Sequence, residues 1–596
     1  MTQQQPKSEQ SRLGESAAEA RVQANARGPA GAWASPAVQS LLLTLGFFAV
    51  FCGLLHPGYA ILDDLKMISI AVGYPGVQPA PFLVFSNVLL GLALAPLYAV
   101  GTALNWAIIL FSIVNSLCLW LLLYIVLSSA AARTYKLFGT TLLLVCASYF
   151  ALNITFSTTA ALASFAGLSA VITGALVSAR RATALAVAGI ALTVFGSLVR
   201  IQMLYLTLPL LLAATPFLYR LIRLRPLGLA LVLTAALVFG GYAFDRLYVR
   251  ANPAWNTYYF YNGIAQMVQD AHRLENMHLE IHRIGWSGND QELFARSFFP
   301  DANLYSVDRL RYLVDHVSGV GQDPVYAAQS AVSRGATVWT APFLLACLAT
   351  WLWAFASGAP WGLKVAIPFV LVVALGESFG LIWIYKDPEY VLLASLANTA
   401  MLSLLIECWS PRREPDLTSP PSRSKSGSIL IGGCAVVGIA AVAVSAVQAI
   451  QTSNDNVGRQ AAYVQILADL GRLQSNGELA KDAVIISPAY GIPVDWANPF
   501  ILDFPRIPYL DTGWSTFSPP YEEALRNFGI DSLAQALYQK PNLYLMSETI
   551  FKTYLARYYE EHGGTAVTFQ TVYTLGYPDR YEGYHEVELY KVVKTP

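Results

Sequence analysis

What constrains this chain most is a succession of apolar stretches, each near the length of a membrane-spanning helix. Such a helix needs roughly 20 mainly apolar residues, within about 17–25. Stretches approaching or meeting that length recur from 38–55 to 429–447. Only 13% of the 596 residues are charged and mean hydropathy is +0.46. Soluble domains carry about 25% charged residues. The chain therefore reads as a polytopic α-helical membrane protein. Its formal net charge is zero, so no global field points to nucleic acid as a partner. Cys52, Cys118, Cys146, Cys347, Cys408 and Cys434 all fall in or at the ends of apolar stretches. That placement argues against a disulfide framework or a cysteine zinc site.

Residues 1–36 are polar and read as a disordered cytoplasmic tail. The stretch 82–100 contains Asn87, Gly91 and Pro96, and 104–127 follows at once. Short cytoplasmic loops favour Lys and Arg. If both stretches crossed, the loop with Arg133 and Lys136 would lie outside. The first is therefore expected to lie on the surface or re-enter, and the second to cross. The remaining expected spans are 137–152, 156–177, 185–198, 204–219, 227–244, 338–355, 365–384 and 391–406. With 38–55, 104–127 and 429–447 these make about eleven transmembrane helices. The N-terminus is expected in the cytoplasm and the C-terminus outside. The membrane domain covers 37–450, with outer loops 56–103 and 245–336. Residues 451–596 are expected to form a small extracytoplasmic α/β domain, with short strands near 483–486 and 543–545 and antiparallel strands in 567–593.

Just past the first span comes HPGYAILDDLKMISIAVGYPG, residues 56–76, with two adjacent carboxylates, Asp63 and Asp64. Ionisable groups near a membrane core are expensive and mark function; Asp is also a good helix N-cap. Arg200 follows an apolar run at the expected outer surface, where the charge bias disfavours it. Its guanidinium either binds phosphate oxygens bidentately or snorkels to water. Lys386 holds a similar outer position, with Asp387 and Glu389 beside it for self-pairing. In the outer loop, Trp286, Asn289 and Asp290 belong to WSGND. An aromatic face beside polar side chains suits a sugar; a Gly-Asn turn with a capping Asp is the plainer reading. His278 and His282 share a helix face, but the order HExxH is missing. Glu377 is the main ionisable residue inside a span, and the hydroxyls Ser157, Thr158 and Thr159 either bind ligand or bond back to their own helix.

A long first outer loop with the acidic pair Asp63-Asp64 just past the first span, many spans and an outer C-terminal domain resemble the GT-C superfamily of membrane glycosyltransferases. More narrowly, Asp63-Asp64, Gly73, Asn87, Gly91, Tyr98 with Asn105-Trp106, Ser157-Thr158-Thr159, Arg200 and Gly285 to Asp290 are similar to a group of bacterial multi-span envelope proteins, over roughly the first 300 residues. The superfamily likeness implies a sugar taken from a polyprenyl-phosphate or polyprenyl-diphosphate donor, with an acid of the first outer loop serving as base or placing a metal. Whether a divalent cation is needed is left open, as are hexosyl against pentosyl transfer and Asp63 against Asp64. No nucleotide-binding pattern is evident, and an outward-facing enzyme has no access to cytoplasmic nucleotide sugars. The expectation is a glycosyltransferase on the outer face of the bacterial cytoplasmic membrane, acting on an envelope glycan or lipid. Its alternative is a transporter or flippase for an envelope lipid or saccharide. Transporters tend to show internal repeats and ionisable groups near the midplane; repeats are not visible here.

Overall fold

The computed structural model describes residues 35–595, apart from 178, 219–220, 270–273, 275–276, 317–322, 336, 385, 387, 410–424, 489–490 and 580–582. The expected disordered tail falls almost wholly outside these residues, as does most of the basic loop before the last span. Among the described residues, nine helices are long and apolar enough to cross a membrane. All eleven expected spans are helical. The shortfall from eleven arises at two places. Ala341–Ala356 is a shorter apolar helix, and Ala179–Leu218 is continuous apart from Arg200.

That continuous element is a hairpin. Arg200 alone has extended backbone angles, φ −158° and ψ 102°, between two helical arms. The first arm runs antiparallel to Phe156–Leu176 (α6 in chain order), and the second turns back. A Cβ on Gly196 would lie 2.9 Å from the Ala160 carbonyl, and one on Gly189 would lie 2.9 Å from Val171 N. At the far end of the second arm, Arg223 donates from Nη2 to the Gly174 carbonyl at 3.1 Å. Small residues let the backbones approach this closely, as membrane helices do when no hydrophobic force sorts them.

The bundle is built around two central helices, α6 and Glu389–Trp409 (α16), each about 94% buried over its most apolar window. Peripheral helices turn apolar side chains outward: Leu54 in Pro36–Leu54 (α1), and Leu229 and Phe239 in Leu224–Arg250 (α8), are each more than 70% exposed. This arrangement, apolar outside as well as inside, is what a bilayer allows and water does not. Val88–Val100 (α3) has 13 residues and contains Pro96, too short to cross. It is capped by Asn87, and its Val88 N–H donates to Asp245 Oδ1 at 2.8 Å.

The last span does not stop at the surface. Lys425–Ser475 (α17) is one helix of 51 residues, about 75 Å at 1.5 Å per residue. Its distal part buries Tyr463, Ile466, Leu470 and Leu473 in the same core as Ile485 and Tyr544 of the sheet. The sheet has five strands in the order β2-β1-β3-β5-β4. Strand β1 (Val484–Ser487) runs parallel to β2 (Tyr509–Asp511) and β3 (Leu543–Glu548). Strand β5 (Gly583–Lys594) is antiparallel to β3 and to β4 (Val567–Asp579). The region 245–336 is not a separate loop. Its helices share a core with this domain, Trp286, Phe294 and Phe298 packing with Leu545, Phe551 and Tyr559.

The hairpin gives a first prediction. Gly189→Leu puts a branched side chain where the helices touch, and overpacking costs about 1–3 kcal/mol. Thermal melting of the detergent-solubilised protein should fall clearly below wild type, while Gly228→Leu, whose Cβ position is open, should melt like it.

Candidate functional site

Asp63–Val72 (α2) opens with both carboxylates in its first turn. A helix N-terminus favours negative charge there. Neighbouring helical residues point about 100° apart, and the two acids have different fates. Asp64 turns inward and is 1% exposed. Its Oδ1 accepts the Phe156 N–H at 2.8 Å, the first residue of α6. Its Oδ2 is buried with no hydrogen-bond partner. Burial pushes the Asp64 carboxyl well above the ordinary carboxylate range and Asp63 adds to it, while the Phe156 N–H and Arg200 oppose. Asp63 is half-buried; its Oδ1 accepts the Trp514 indole N–H at 2.8 Å. No described residue partners its Oδ2.

Arg200, at the hairpin's break, lies beside the same point. It donates to Ser157 Oγ, sits with Cζ 4.7 Å from the Phe156 ring centroid and reaches the Tyr390 hydroxyl. It also stands close enough to Asp64 to favour that carboxyl's charged form. The break explains the placement: an extended residue ends one arm and starts the next, so the side chain lies at the end of the bundle and not along it. Tyr390 belongs to the first turn of α16 and lines a cavity of about 120 Å³. Tyr59, Asn153, Gln448, Asn456, Glu389 and Arg459 are among its other walls. The cavity lies where the ends of Arg133–Leu152 (α5) and α16 and the middle of α17 meet the stretch leading to Asp63.

A third element closes the site. Lys66, one turn beyond Asp63, forms an ion pair with Asp511 and donates to the Thr512 carbonyl at 3.2 Å. Burial raises the Asp511 carboxyl, and Lys66 opposes this. Trp514 and Asp511 belong to the α/β domain, and neither carried a chemical signal in sequence. Lys66 lies within the stretch 56–76, and Tyr390 carries no chemical signal in sequence either.

The other residues marked in sequence go elsewhere. Trp286 is 1% exposed and donates its indole N–H to the Leu304 carbonyl at 2.8 Å. Asp290 completes a capping box with Ser287 at the start of Gly288–Ala295 and bonds His562 Nε2 at 2.8 Å. Asn289 donates to the Tyr554 carbonyl at 2.9 Å. The stretch thus clips the helices between Leu224–Arg250 and Ala341–Ala356 to Phe551–Gly563, and among the described residues no hydrogen bond or ion pair joins it to Asp63, Asp64 or Arg200. Asp290, Glu561 and His562 are the one candidate metal group among the described residues. Their facing atoms are already paired, including Ser287 Oγ to Glu561 Oε2 at 2.7 Å. Lys386 is exposed in the turn before α16. Glu377 accepts from Ser395 Oγ at 3.0 Å, and its Oε1 is buried with no hydrogen-bond partner. Of the three hydroxyls, Ser157 takes Arg200, Thr158 closes the capping box of α6, and Thr159 is buried without a partner. Tyr98 and Asn105 form a buried network with the Tyr59 hydroxyl.

Asp64 gives a prediction with a definite pH sense. Its folded-state pKa lies above the unfolded value, so ionising it costs stability once the pH rises above the ordinary carboxylate range. Asp64→Asn keeps an acceptor for Phe156 and removes that cost, so its melting temperature relative to wild type should climb from acid to neutral pH. Asp64→Ala leaves the α6 N-terminus unpaired and should lose about 1–2 kcal/mol. The chain matches no protein-family model, no curated protein and no solved structure, so the arrangement of these side chains carries the functional reading.

Proposed function

We propose that the chain is a membrane glycosyltransferase that moves a sugar from a polyprenyl-phosphate-type donor to an envelope glycan or lipid acceptor. One observation carries the reading. A carboxylate with an open oxygen and an arginine, from segments far apart in sequence, both stand near Tyr390, which lines a cavity among the bundle helices; the two groups themselves are not among that cavity's walls. Glycosyl transfer needs those two groups. Asp63 Oδ2 takes the proton of the acceptor hydroxyl. The acceptor oxygen bonds the anomeric carbon as the bond from that carbon to the phosphate oxygen breaks. The electron pair leaves with the phosphate, whose charge the Arg200 guanidinium binds. Asp64, buried and bonded to α6, holds the turn that presents Asp63.

The orientation that suits this chemistry puts the site on the outer face of a bacterial cytoplasmic membrane, N-terminus inside and α/β domain outside. The short loops rich in Arg, such as the one holding Arg220, Arg223 and Arg225, then lie in the cytoplasm, as the charge bias requires.

The test is transfer from a polyprenyl-phosphate-linked sugar by the full chain in lipid nanodiscs, with products read by mass spectrometry. A general base contributes about 10²–10⁴-fold. Asp63→Asn should lose that much, and Arg200→Gln should fall with it, while Asp64→Asn keeps the larger share of activity. Full activity in Asp63→Asn would sink the mechanism.

A further inference from the structure

We infer that Trp514 is a positioning residue for Asp63, so that the α/β domain is part of the catalytic unit and not an appendage to it. The inference rests on the glycosyl-transfer reading for its effect on rate, but its geometry stands alone. Trp514 lies three residues past the carboxyl end of β2. Loops at the carboxyl ends of parallel strands are where α/β folds place ligand-handling groups.

The segment from Asp511 to Phe517 is held for this purpose from several sides. The indole N–H donates to Asp63 Oδ1 at 2.8 Å. The Phe85 ring meets the indole edge-on, with centroids 4.9 Å apart. The Trp514 carbonyl accepts from the Tyr258 hydroxyl, and the Gly513 N–H donates to Thr516 Oγ1 at 3.1 Å. One turn along α2, Lys66 grips Asp511 and the Thr512 carbonyl. Gly513 has φ +111°, and a Cβ there would lie 3.2 Å from Lys66 Nζ, so only glycine suits both the backbone and the contact. Phe517 has φ +65°, a conformation that costs a bulky residue energy and persists where surroundings enforce it.

The consequence is atomic. With Oδ1 occupied by the indole, the Asp63 carboxylate cannot rotate freely, and Oδ2 is the oxygen presented to a substrate. A misplacement of about 1 Å in a catalytic group can cost about 10²-fold. A half-buried tryptophan can instead serve packing alone, and the two roles separate cleanly.

The experiment compares Trp514→Phe and Trp514→His in the nanodisc transfer assay with a polyprenyl-phosphate-linked sugar. Phe keeps the ring against Phe85 and removes the N–H; His keeps an N–H on a smaller ring. Positioning predicts that Trp514→Phe loses about 10²-fold in kcat with KM for the donor little changed, and that Trp514→His recovers part of it. Equal losses in both, or a fully active Trp514→Phe, would overturn the inference. A second measurement needs no activity. The Trp514 indole resonance, identified in the ¹⁵N–¹H spectrum by its loss in Trp514→Phe, should move in Asp63→Ala as its hydrogen bond is removed. An unmoved resonance would also overturn the inference. If the wild type transfers no sugar while the resonance moves, the glycosyl-transfer reading fails and the Asp63–Trp514 contact stands.

Discussion

The hydrogen bond from the Phe156 N–H to Asp64 Oδ1 is the contact on which the site depends. It joins the short helix after the first span to one of the two central helices of the bundle. The first N–H groups of a helix have no internal partner, and at a buried helix end they must find one. Asp64 supplies it from another part of the chain. Doing so fixes the first turn of α2 and leaves the neighbouring Asp63 facing the other way. The cost is a carboxyl with one oxygen unpaired in an apolar setting, a penalty that a purely structural cap would avoid.

Three parts of the molecule meet at that turn. The hairpin of Ala179–Leu218 brings Arg200 because its helical arms break at that residue. The helix Glu389–Trp409 brings Tyr390. The α/β domain brings Asp511 and Trp514, and it is fixed relative to the bundle by the 51-residue helix that enters it without interruption. A second tie comes from the helices around Trp286 and Asp290, which pack into the same domain. A domain held from two sides can position a side chain against the bundle to within hydrogen-bonding distance, which a flexible linker cannot do.

Much of the fold was legible in sequence. Apolar length marks each crossing helix because a bilayer leaves the backbone no partner but itself. The break at Arg200 was legible too, since a lone arginine between two apolar runs separates them. The α/β domain announced itself through its short apolar strands, although β2, three residues long, is too brief to leave a pattern. A capping role for Asp290 was legible as the plainer of two readings, because capping is a local matter of four residues, but the N-cap itself is Ser287 and Asp290 stands at the third helical position.

The sequence by itself determined which segments are apolar enough to enter a membrane, and that Asp63 and Asp64 follow the first of them while Arg200 separates two others. Those properties depend on the transfer of individual residues between water and hydrocarbon, which composition sets. Only the tertiary structure decided that Asp64 is buried while Asp63 is open, that Arg200 lies beside them, and that Trp514 and Lys66 bind the α/β domain to the same turn. These outcomes depend on distances between residues hundreds of positions apart, and on a helical twist that sends adjacent side chains to opposite surroundings.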